Sequence, residues 1–204
     1  AMNAWAAEVE REYTRPVMSS FHAMWSLGAG IGAGLGSLLS YYEVAYKNHF
    51  SLTSIIIFFV ALSVAFVPFK SQKNKKVTKS PFISIPKGPL LPVAIITFFA
   101  SLSEGAVADW SAIFLKSVAS LNDGSAALGF TVFSVCMFSM RLMGDRISFK
   151  LGPSNAARYS GLVALTGSII LLISNSFLLL LLGFGFIGLG IAVIIPLAFS
   201  RAGN

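Results

Sequence analysis

Six long apolar segments, separated by short polar ones, dominate the hydrophobic pattern of this chain. They cover residues 17–42, 51–69, 90–115, 126–144, 156–174 and 177–200. Each approaches the roughly 20 residues that a helix needs to cross the hydrocarbon core of a bilayer. Continuous runs such as SIIIFFVALSVAF lack the two-residue alternation of outer-membrane strands, and an open strand would leave backbone groups unpaired in lipid. The pattern therefore predicts an all-α, polytopic bundle of about six membrane-spanning helices.

Composition agrees with this prediction. The chain has 204 residues, of which 55% are hydrophobic and only 11% are charged, and its mean hydropathy is +0.78. A soluble domain carries about 25% charged residues, so this chain could not present a sufficiently polar surface to water. Its one cysteine, Cys136, lies within an apolar run, which excludes a disulfide framework or a cysteine-based metal site within the chain.

The net charge of +7 is concentrated in alternate loops. One basic group lies between the second and third apolar segments, and another lies around the connection after the fourth segment, whereas the other connections are nearly neutral. The positive-inside rule then places loops 70–89 and 145–155 in the cytoplasm. Nucleic-acid binding is not expected, because it would need basic residues spread over a soluble face. The basic residues are Lys70, Lys73, Lys75, Lys76, Lys79 and Lys87 in the first group, and Arg141, Arg146, Lys150 and Arg158 in the second.

The lysine-rich segment 70–89 divides the chain into three parts. Residues 1–69 hold two predicted spanning helices, residues 70–89 form a polar linker, and residues 90–204 hold four more helices. The first residues, AMNAWAAEVEREY, lack the basic start, apolar stretch and cleavage site of a signal peptide. They resemble the end of a helix that leaves the membrane, so we expect the chain to begin inside a larger protein.

Two acids, Glu104 and Asp109, lie in the third apolar segment, where a charge at the centre of a spanning helix costs about 2.5–3.5 kcal/mol. Helical spacing puts Glu104 on one side with small and partly polar residues, namely Ala100, Ser101, Ala108 and Ser111. We expect Glu104 near the membrane midplane, in substrate or proton coupling. Asp109 is a second candidate for that role, with headgroup contact near the outer interface as its alternative. A buried hydrogen bond that fixes helix packing is the structural alternative for both acids.

His22 lies about one turn inside the first spanning helix and is a third candidate for proton or substrate handling. Its titration range suits a proton relay if a carboxylate lies nearby, and hydrogen-bonded packing is the alternative. The chain shows no zinc-ligand spacing, nucleophile–base arrangement or phosphate-binding loop. We therefore predict no metal, no cofactor and no enzymatic activity.

The segment RLMGDRISFKLGP follows the fourth apolar segment on its basic side. Asp145 can accept hydrogen bonds from a helix N-terminus or pair with an arginine. Arg141 and Arg146 can bind carboxylates or helix-end carbonyl groups. These three residues are candidates for a latch that holds two helices in one arrangement.

The first spanning helix contains the glycine run GAGIGAGLG. Gly28, Gly32 and Gly36 are spaced by four, which permits close contact between membrane helices. Simple packing and a sliding contact both remain open for this face. Matches to the dinucleotide-binding glycine pattern, here and at residues 183–188, are rejected because they lie inside spanning segments rather than at a strand-to-helix turn.

Taken together, these motifs resemble the major facilitator superfamily, and in particular bacterial permeases distantly similar to sugar and fucose carriers. The first 39 residues resemble the end of the fourth helix and the glycine-rich fifth helix of that family. EGAVADWSAIFL resembles the seventh helix, RLMGDRISFKLGP the signature loop after the eighth, and GFGFIGLGIAVIIPLAFSRAG the tenth. Met140 stands where the family commonly has a glycine before the first arginine of the signature.

The resemblance implies that the chain is part of a twelve-helix fold, from the end of helix four through helix ten. It implies alternating access of two halves around a central site near the midplane, with Asp145 and Arg146 in a conformational latch. The implied partners are a small solute, protons as a candidate coupling ion, the lipid bilayer, and the transmembrane helices that the chain lacks. Without those helices the chain alone should not transport.

Two functional hypotheses follow. The first is a secondary active transporter of a small solute in a bacterial cytoplasmic (inner) membrane. The second is a non-transporting membrane sensor or scaffold built on the same helices. A transport assay distinguishes the two, because only the first hypothesis predicts accumulation of solute.

Overall fold

The computed structural model describes residues 2–13, 17–66 and 87–203, and every regular element within these ranges is a helix. The all-α fold class predicted from the hydrophobic pattern is confirmed. The helices are α1 (Met2–Tyr13), α2 (Met18–Tyr41), α3 (Tyr46–Ala65), α4 (Leu90–Ala119), α5 (Asp123–Leu151), α6 (Pro153–Ile173), α7 (Phe177–Ile191) and α8 (Ile194–Gly203).

Six segments of the described chain are long and apolar enough to cross a membrane. They are α2 to α6 and the combined α7–α8 segment, Phe177–Arg201. Each corresponds to one of the six predicted spans. The protein is thus a multi-pass membrane protein, with α1 as a short additional helix before the first span.

The helix boundaries differ from the prediction most clearly at the end of α5. The predicted loop 145–155 is helical up to Leu151, and α6 begins at Pro153, so the connection is Gly152 alone. Gly152 has φ +75°, which favours glycine, and Pro153 suits the first helical position because it has no N–H group to leave unpaired. Similarly, α3 begins at Tyr46 instead of residue 51. In both places the helix extends into polar and basic residues that lie outside the apolar pattern: at the end of α5 and at the start of α3.

Residues 70–86 of the predicted linker 70–89 lie outside the described residues. Lys87 is the one lysine of that predicted group within the described part of the chain, and it is exposed. The cytoplasmic placement of segments 70–89 and 145–155 stays a prediction.

Helix α5 lies at the centre of the bundle and packs against α2, α4 and α7, while α6 packs on α7. The main cluster of buried side chains includes Leu115 of α4, Phe133 of α5 and Phe184 of α7. Glycines also bring α6 and α7 close together: a Cβ atom added to Gly167 of α6 would lie 2.6 Å from the carbonyl oxygen of Gly183 of α7. Such close contact is the usual basis of helix association in lipid, where burial of apolar groups offers no advantage over lipid contact.

The glycine run of α2 packs against α5 through Gly30. A Cβ atom added to Gly30 would lie 3.4 Å from Cβ of Ser134, in ordinary contact. By contrast, nothing lies within 4 Å of a Cβ atom at Gly28 or Gly32, and at Gly36 it would meet Cε1 of His49 at 3.7 Å. Close helix contact at the Gly28–Gly32–Gly36 face therefore stays a prediction.

The last span is interrupted between α7 and α8, at Ala192 and Val193. Pro196 lies four residues after Ala192 and has no N–H group, so the Ala192 carbonyl cannot make its usual helical hydrogen bond. The hydrogen bond from Leu197 N–H to the Val193 carbonyl, 3.0 Å, shows that the normal helical pattern resumes one residue later. This interruption leaves one buried backbone oxygen available to another part of the bundle.

Candidate functional site

The candidate site is built around Arg141 in the middle of α5. Its side chain is 1% exposed and is the largest of the fully buried side chains. A buried guanidinium group is costly in a membrane unless it is paired, and such groups usually mark functional positions. The partners of Arg141 therefore define the site.

Four groups from three other parts of the bundle accept hydrogen bonds from Arg141. Nε donates to the carbonyl oxygen of Ala192 at 3.1 Å. Nη1 donates to the carbonyl oxygen of His22 at 3.4 Å and to Oγ of Ser26. Nη2 donates to Oε2 of Glu104 at 3.2 Å, forming an ion pair. One side chain thus joins α2, α4 and the α7–α8 junction to α5.

Arginine is suited to this position because its planar guanidinium group carries five N–H donors in a fixed arrangement. The Nε donor replaces the N–H group that Pro196 cannot offer to Ala192, while the two Nη atoms reach α2 and α4. A lysine has the same charge but a single nitrogen atom, so it could not reach these three directions at once.

Glu104 lies on the inward face of α4, as its helical spacing predicts. Ala100, Val107, Ser111 and Leu115 are buried on the same face, whereas Ser101 and Ala108, which were expected to share it, are exposed. The Glu104 side chain is 23% exposed, compared with 1% for Arg141. Within the described residues, the pair is therefore accessible from its Glu104 side.

The structure separates the other sequence-predicted residues by their contacts. Asp109 is exposed on α4 and is not a partner of Arg141. His22 is buried and is joined to Arg141 by its backbone carbonyl group, while its ring stacks on Phe199 of α8 with centroids 5.9 Å apart. Nε2 of His22 has no hydrogen-bond partner within the described residues.

A second polar cluster caps the N-terminus of α2. Asp145 of α5 accepts hydrogen bonds from the backbone N–H groups of Ser19, 3.1 Å, and Ser20, 3.2 Å, and from Oγ of Ser20, 2.7 Å. Glu10 of α1 accepts hydrogen bonds from the N–H groups of Val17 and Met18, both 3.0 Å. The first N–H groups of a helix have no partner within the helix and carry its positive dipole end. Two carboxylates from two other helices therefore satisfy them.

Arg146, the third residue of the predicted latch, is exposed on α5. The contacts to α2 are made by Asp145 and by the Arg141 backbone, whose carbonyl oxygen accepts a hydrogen bond from Oγ of Ser19 at 2.8 Å. The structure thus brings Arg141 and Asp145 to α2 but does not bring Arg146 there.

A cavity of about 130 Å³ lies beside this cap. Its polar lining includes Glu10, Ser19, Asp145 and Ser200, and Oγ of Ser200 donates a hydrogen bond to Glu10. The remaining wall is largely apolar and includes Val193, Pro196 and Leu197 of the interrupted last span. The cavity therefore lies between α1, the start of α2, the end of α5, the start of α6 and α8.

Sequence reasoning missed Glu10, Ser26 and the Ala192–Pro196 pair as members of these clusters. The proline inside an apolar span was a usable signal, because it predicts an unpaired carbonyl four residues earlier. Glu10 carried a weaker signal, a carboxylate shortly before a predicted helix start. No local pattern in the sequence indicates Ser26.

The Arg141–Glu104 pair can respond chemically to protonation of Glu104 or to a ligand that competes for its carboxylate. Either event would leave the buried guanidinium without a neutralising charge. Within the part of the chain that the structure describes, no group of three or more His, Cys, Asp or Glu residues is positioned to hold a metal ion.

Comparison with known proteins places these features in a family context. A family profile described as Major Facilitator Superfamily matches residues 1–204. The uncharacterized transporter y4wD of Sinorhizobium fredii is 36% identical over 202 residues, which cover 99% of this chain and 54% of that protein. An uncharacterized MFS-type transporter of Yersinia pestis is 29% identical over 204 residues, which cover 100% of this chain and 53% of that protein.

A third relative, the membrane protein MosC of Rhizobium meliloti, is 34% identical over 115 residues, covering 56% of this chain and 28% of that protein. The chain therefore spans about half the length of the first two curated relatives. No solved structure matches the chain.

Replacing Arg141 by lysine should destabilise the bundle although it keeps the positive charge. The Ala192 carbonyl would lose its donor, and a buried unpaired polar group costs about 1–3 kcal/mol. We expect a lower midpoint of thermal unfolding in detergent for Arg141→Lys. The matched control is Arg146→Lys, the same substitution at an exposed position of the same helix, which should leave the midpoint unchanged. Equal effects of the two substitutions would contradict the assigned role of Arg141.

Proposed function

This chain belongs to the Major Facilitator Superfamily, and on that premise we propose that it is part of a secondary active transporter that moves a small solute by alternating access. The observation that carries the proposal is the buried Arg141–Glu104 ion pair inside the spanning helices. Two relatives that cover nearly this whole chain bear the name transporter, which favours transport as the activity. Since the chain spans about half of those relatives, the activity would belong to a longer protein.

Glu104 is the proposed coupling residue of this transporter. Its carboxylate is partly exposed on one side and neutralises a fully buried arginine on the other. Protonation of Glu104, or binding of a solute group to it, removes that neutralising charge, and an uncompensated buried charge destabilises the arrangement that holds it. A proton or solute at Glu104 therefore changes the relative stability of two conformations, as coupled transport requires.

The cap on α2 is the proposed latch of the cytoplasmic side. Asp145 lies on α5, after residues 70–89, and the N–H groups that it binds lie on α2, before those residues. The contact thus joins the two parts of the chain that the polar linker divides, 1–69 and 90–204. In this proposal the two parts belong to two halves of the transporter, and breaking the cap lets the halves separate at the cavity beside Glu10.

The proposed setting is a bacterial cytoplasmic membrane, with the remaining helices of a twelve-helix fold completing the bundle. The faces of α3 and α4 are suited to contact with lipid or with such helices, since α3 has no buried residue and Phe58, Phe98 and Trp110 are exposed. A sensor or scaffold without transport is the second hypothesis, and no contact among the described residues favours it. We propose no enzymatic activity.

Replacing Glu104 by glutamine in the protein expressed from its complete coding sequence should impair transport. The neutral side chain keeps its shape but can neither titrate nor neutralise Arg141. Uptake into proteoliposomes is measured with a panel of isotope-labelled small solutes and an internal pH dye. We expect it to fall by roughly tenfold or more, which corresponds to a loss of about 1.4 kcal/mol from the stabilisation that the ion pair provides.

The matched control is Asp109→Asn, the same loss of charge on an exposed position of the same helix. It should leave uptake close to that of the parent protein. Unchanged uptake and unchanged proton movement with Glu104→Gln would remove Glu104 from the mechanism. Saturable solute binding without accumulation in the parent protein would favour the sensor hypothesis.

Replacing Asp145 by asparagine should weaken the latch. The loss of hydrogen bonds to a charged group costs about 1.5–3 kcal/mol, so the closed arrangement becomes less populated and the cavity opens more often. A cysteine placed at Ser148, which lines the cavity, should then react with a maleimide roughly tenfold faster, given the same cost. The assay uses purified protein in which Cys136 is replaced by alanine.

The control for this experiment is Asp123→Asn at the opposite end of α5, where the exposed carboxylate pairs with Lys116. It should not change the reaction rate at residue 148. If Asp145→Asn and Asp123→Asn gave the same rate as the parent, Asp145 would not hold the cavity closed.

A further inference from the structure

The last span is interrupted because Pro196 cannot donate a hydrogen bond to the Ala192 carbonyl, and another helix supplies the missing donor. Pro196 removes the N–H group that would normally bind the Ala192 carbonyl, and the proline ring also presses against that carbonyl. Ala192 is completely buried, so water does not supply the missing hydrogen bond. The donor comes instead from Nε of Arg141 on another helix, at 3.1 Å.

The same guanidinium group is neutralised by Glu104 through Nη2. Because the group is planar and rigid, its Nε and Nη atoms cannot move independently. A displacement of the Nη2 end toward or away from Glu104 therefore moves the Nε–H group relative to the Ala192 carbonyl. The two contacts are mechanically joined although they lie on different helices.

Helix α8 begins two residues after Ala192 and carries much of the cavity wall. Pro196, Leu197 and Ser200 line the cavity, and Phe199 stacks on His22 of α2. A change in the angle between α7 and α8 at Ala192 would therefore move groups that line the cavity.

We infer that Arg141 is a positioning residue that sets the angle between α7 and α8, so that the charge on Glu104 is transmitted to the position of α8. With Glu104 ionised, the ion pair holds the guanidinium group where Nε meets the Ala192 carbonyl. With Glu104 neutral, that restraint is lost, the hydrogen bond to Ala192 is weakened, and α8 changes its angle to α7. This inference uses the same pair as the proposed function, but it concerns a conformational response and does not require transport.

The expected movement is large enough to measure. Helix α8 has 10 residues, which at about 1.5 Å per residue gives a length of roughly 15 Å. A sharp helix kink, of the kind found at proline, is about 20° or more, and a change of about 20° over this length moves the end of α8 by roughly 5 Å.

The test measures the distance between spin labels at Lys150 of α5 and Arg201 of α8, both exposed. Each is replaced by cysteine in the full-length protein with Cys136→Ala. Six proteins are compared: the parent, Pro196→Ala and Pro92→Ala, each with and without Glu104→Gln. We expect Glu104→Gln to shift the distance distribution by several ångströms, on the scale of the roughly 5 Å movement.

Pro196→Ala restores the N–H group at position 196, so the Ala192 carbonyl can bond within its own helix and no longer depends on Arg141. Glu104→Gln should therefore cause no shift in the Pro196→Ala background. The matched control is Pro92→Ala, in the first turn of α4, where a proline removes no internal hydrogen bond. In that background the shift caused by Glu104→Gln should persist.

Two results would overturn the inference. One is an equal shift with Glu104→Gln in the presence and absence of Pro196, which would show that the response does not depend on the hydrogen bond between Arg141 and the Ala192 carbonyl. The other is no shift in the parent background, with both proteins folded as judged by cooperative unfolding. Neither result bears on uptake, so the proposed transport function could hold while this inference fails, and the reverse is also possible.

Discussion

A guanidinium group buried inside a membrane-spanning bundle must find a partner for its charge and for its N–H groups, and this requirement organises the structure. Arg141 meets it with a carboxylate, a hydroxyl group and two backbone carbonyl groups that come from α2, α4 and the α7–α8 junction. Because Arg141 is almost completely buried, moving any one of these elements away leaves one of its N–H groups without a partner. The positions of four spanning segments are therefore linked through one side chain.

The cap on α2 extends this linkage toward the cavity. Asp145 lies four residues after Arg141, so both side chains are on the same face of α5. Between them, Gly144 lets α2 approach closely, because a Cβ atom there would collide with Oγ of Ser19 and would lie 2.8 Å from Val193. Arg141, through its bonds to His22 and Ser26, and Asp145, through the helix cap, thus both join α5 to α2. A change at Glu104 and a change at the cap can therefore affect each other through α2 and α5.

The sequence predicted the spanning helices well because long apolar runs directly reflect the thickness of the bilayer. It also predicted that Glu104 faces inward, but helical spacing did not fix the whole face, because Ser101 and Ala108, which were expected to share it, are exposed. The partner of Glu104 could not be predicted in this way, because Arg141 is 37 residues away and their contact depends on how α4 and α5 pack. Local patterns likewise could not show that α2 packs on α5 through Gly30, or that the segment around residues 145–151 stays helical beyond its apolar part. Glu10 joined the cap only because α1 folds back beside the start of α2.

The coupling between Arg141 and Glu104 is best measured by a double-mutant cycle on the free energy of unfolding in mild detergent, using Arg141→Gln, Glu104→Gln and the double variant. Each single substitution leaves one charge of the pair without its partner, whereas the double variant leaves neither. The two substitutions should therefore be less costly together than the sum of their separate effects, by about 1 kcal/mol or more. Additive effects within about 0.5 kcal/mol would show that the two side chains do not depend on each other and would contradict the central role assigned to their ion pair.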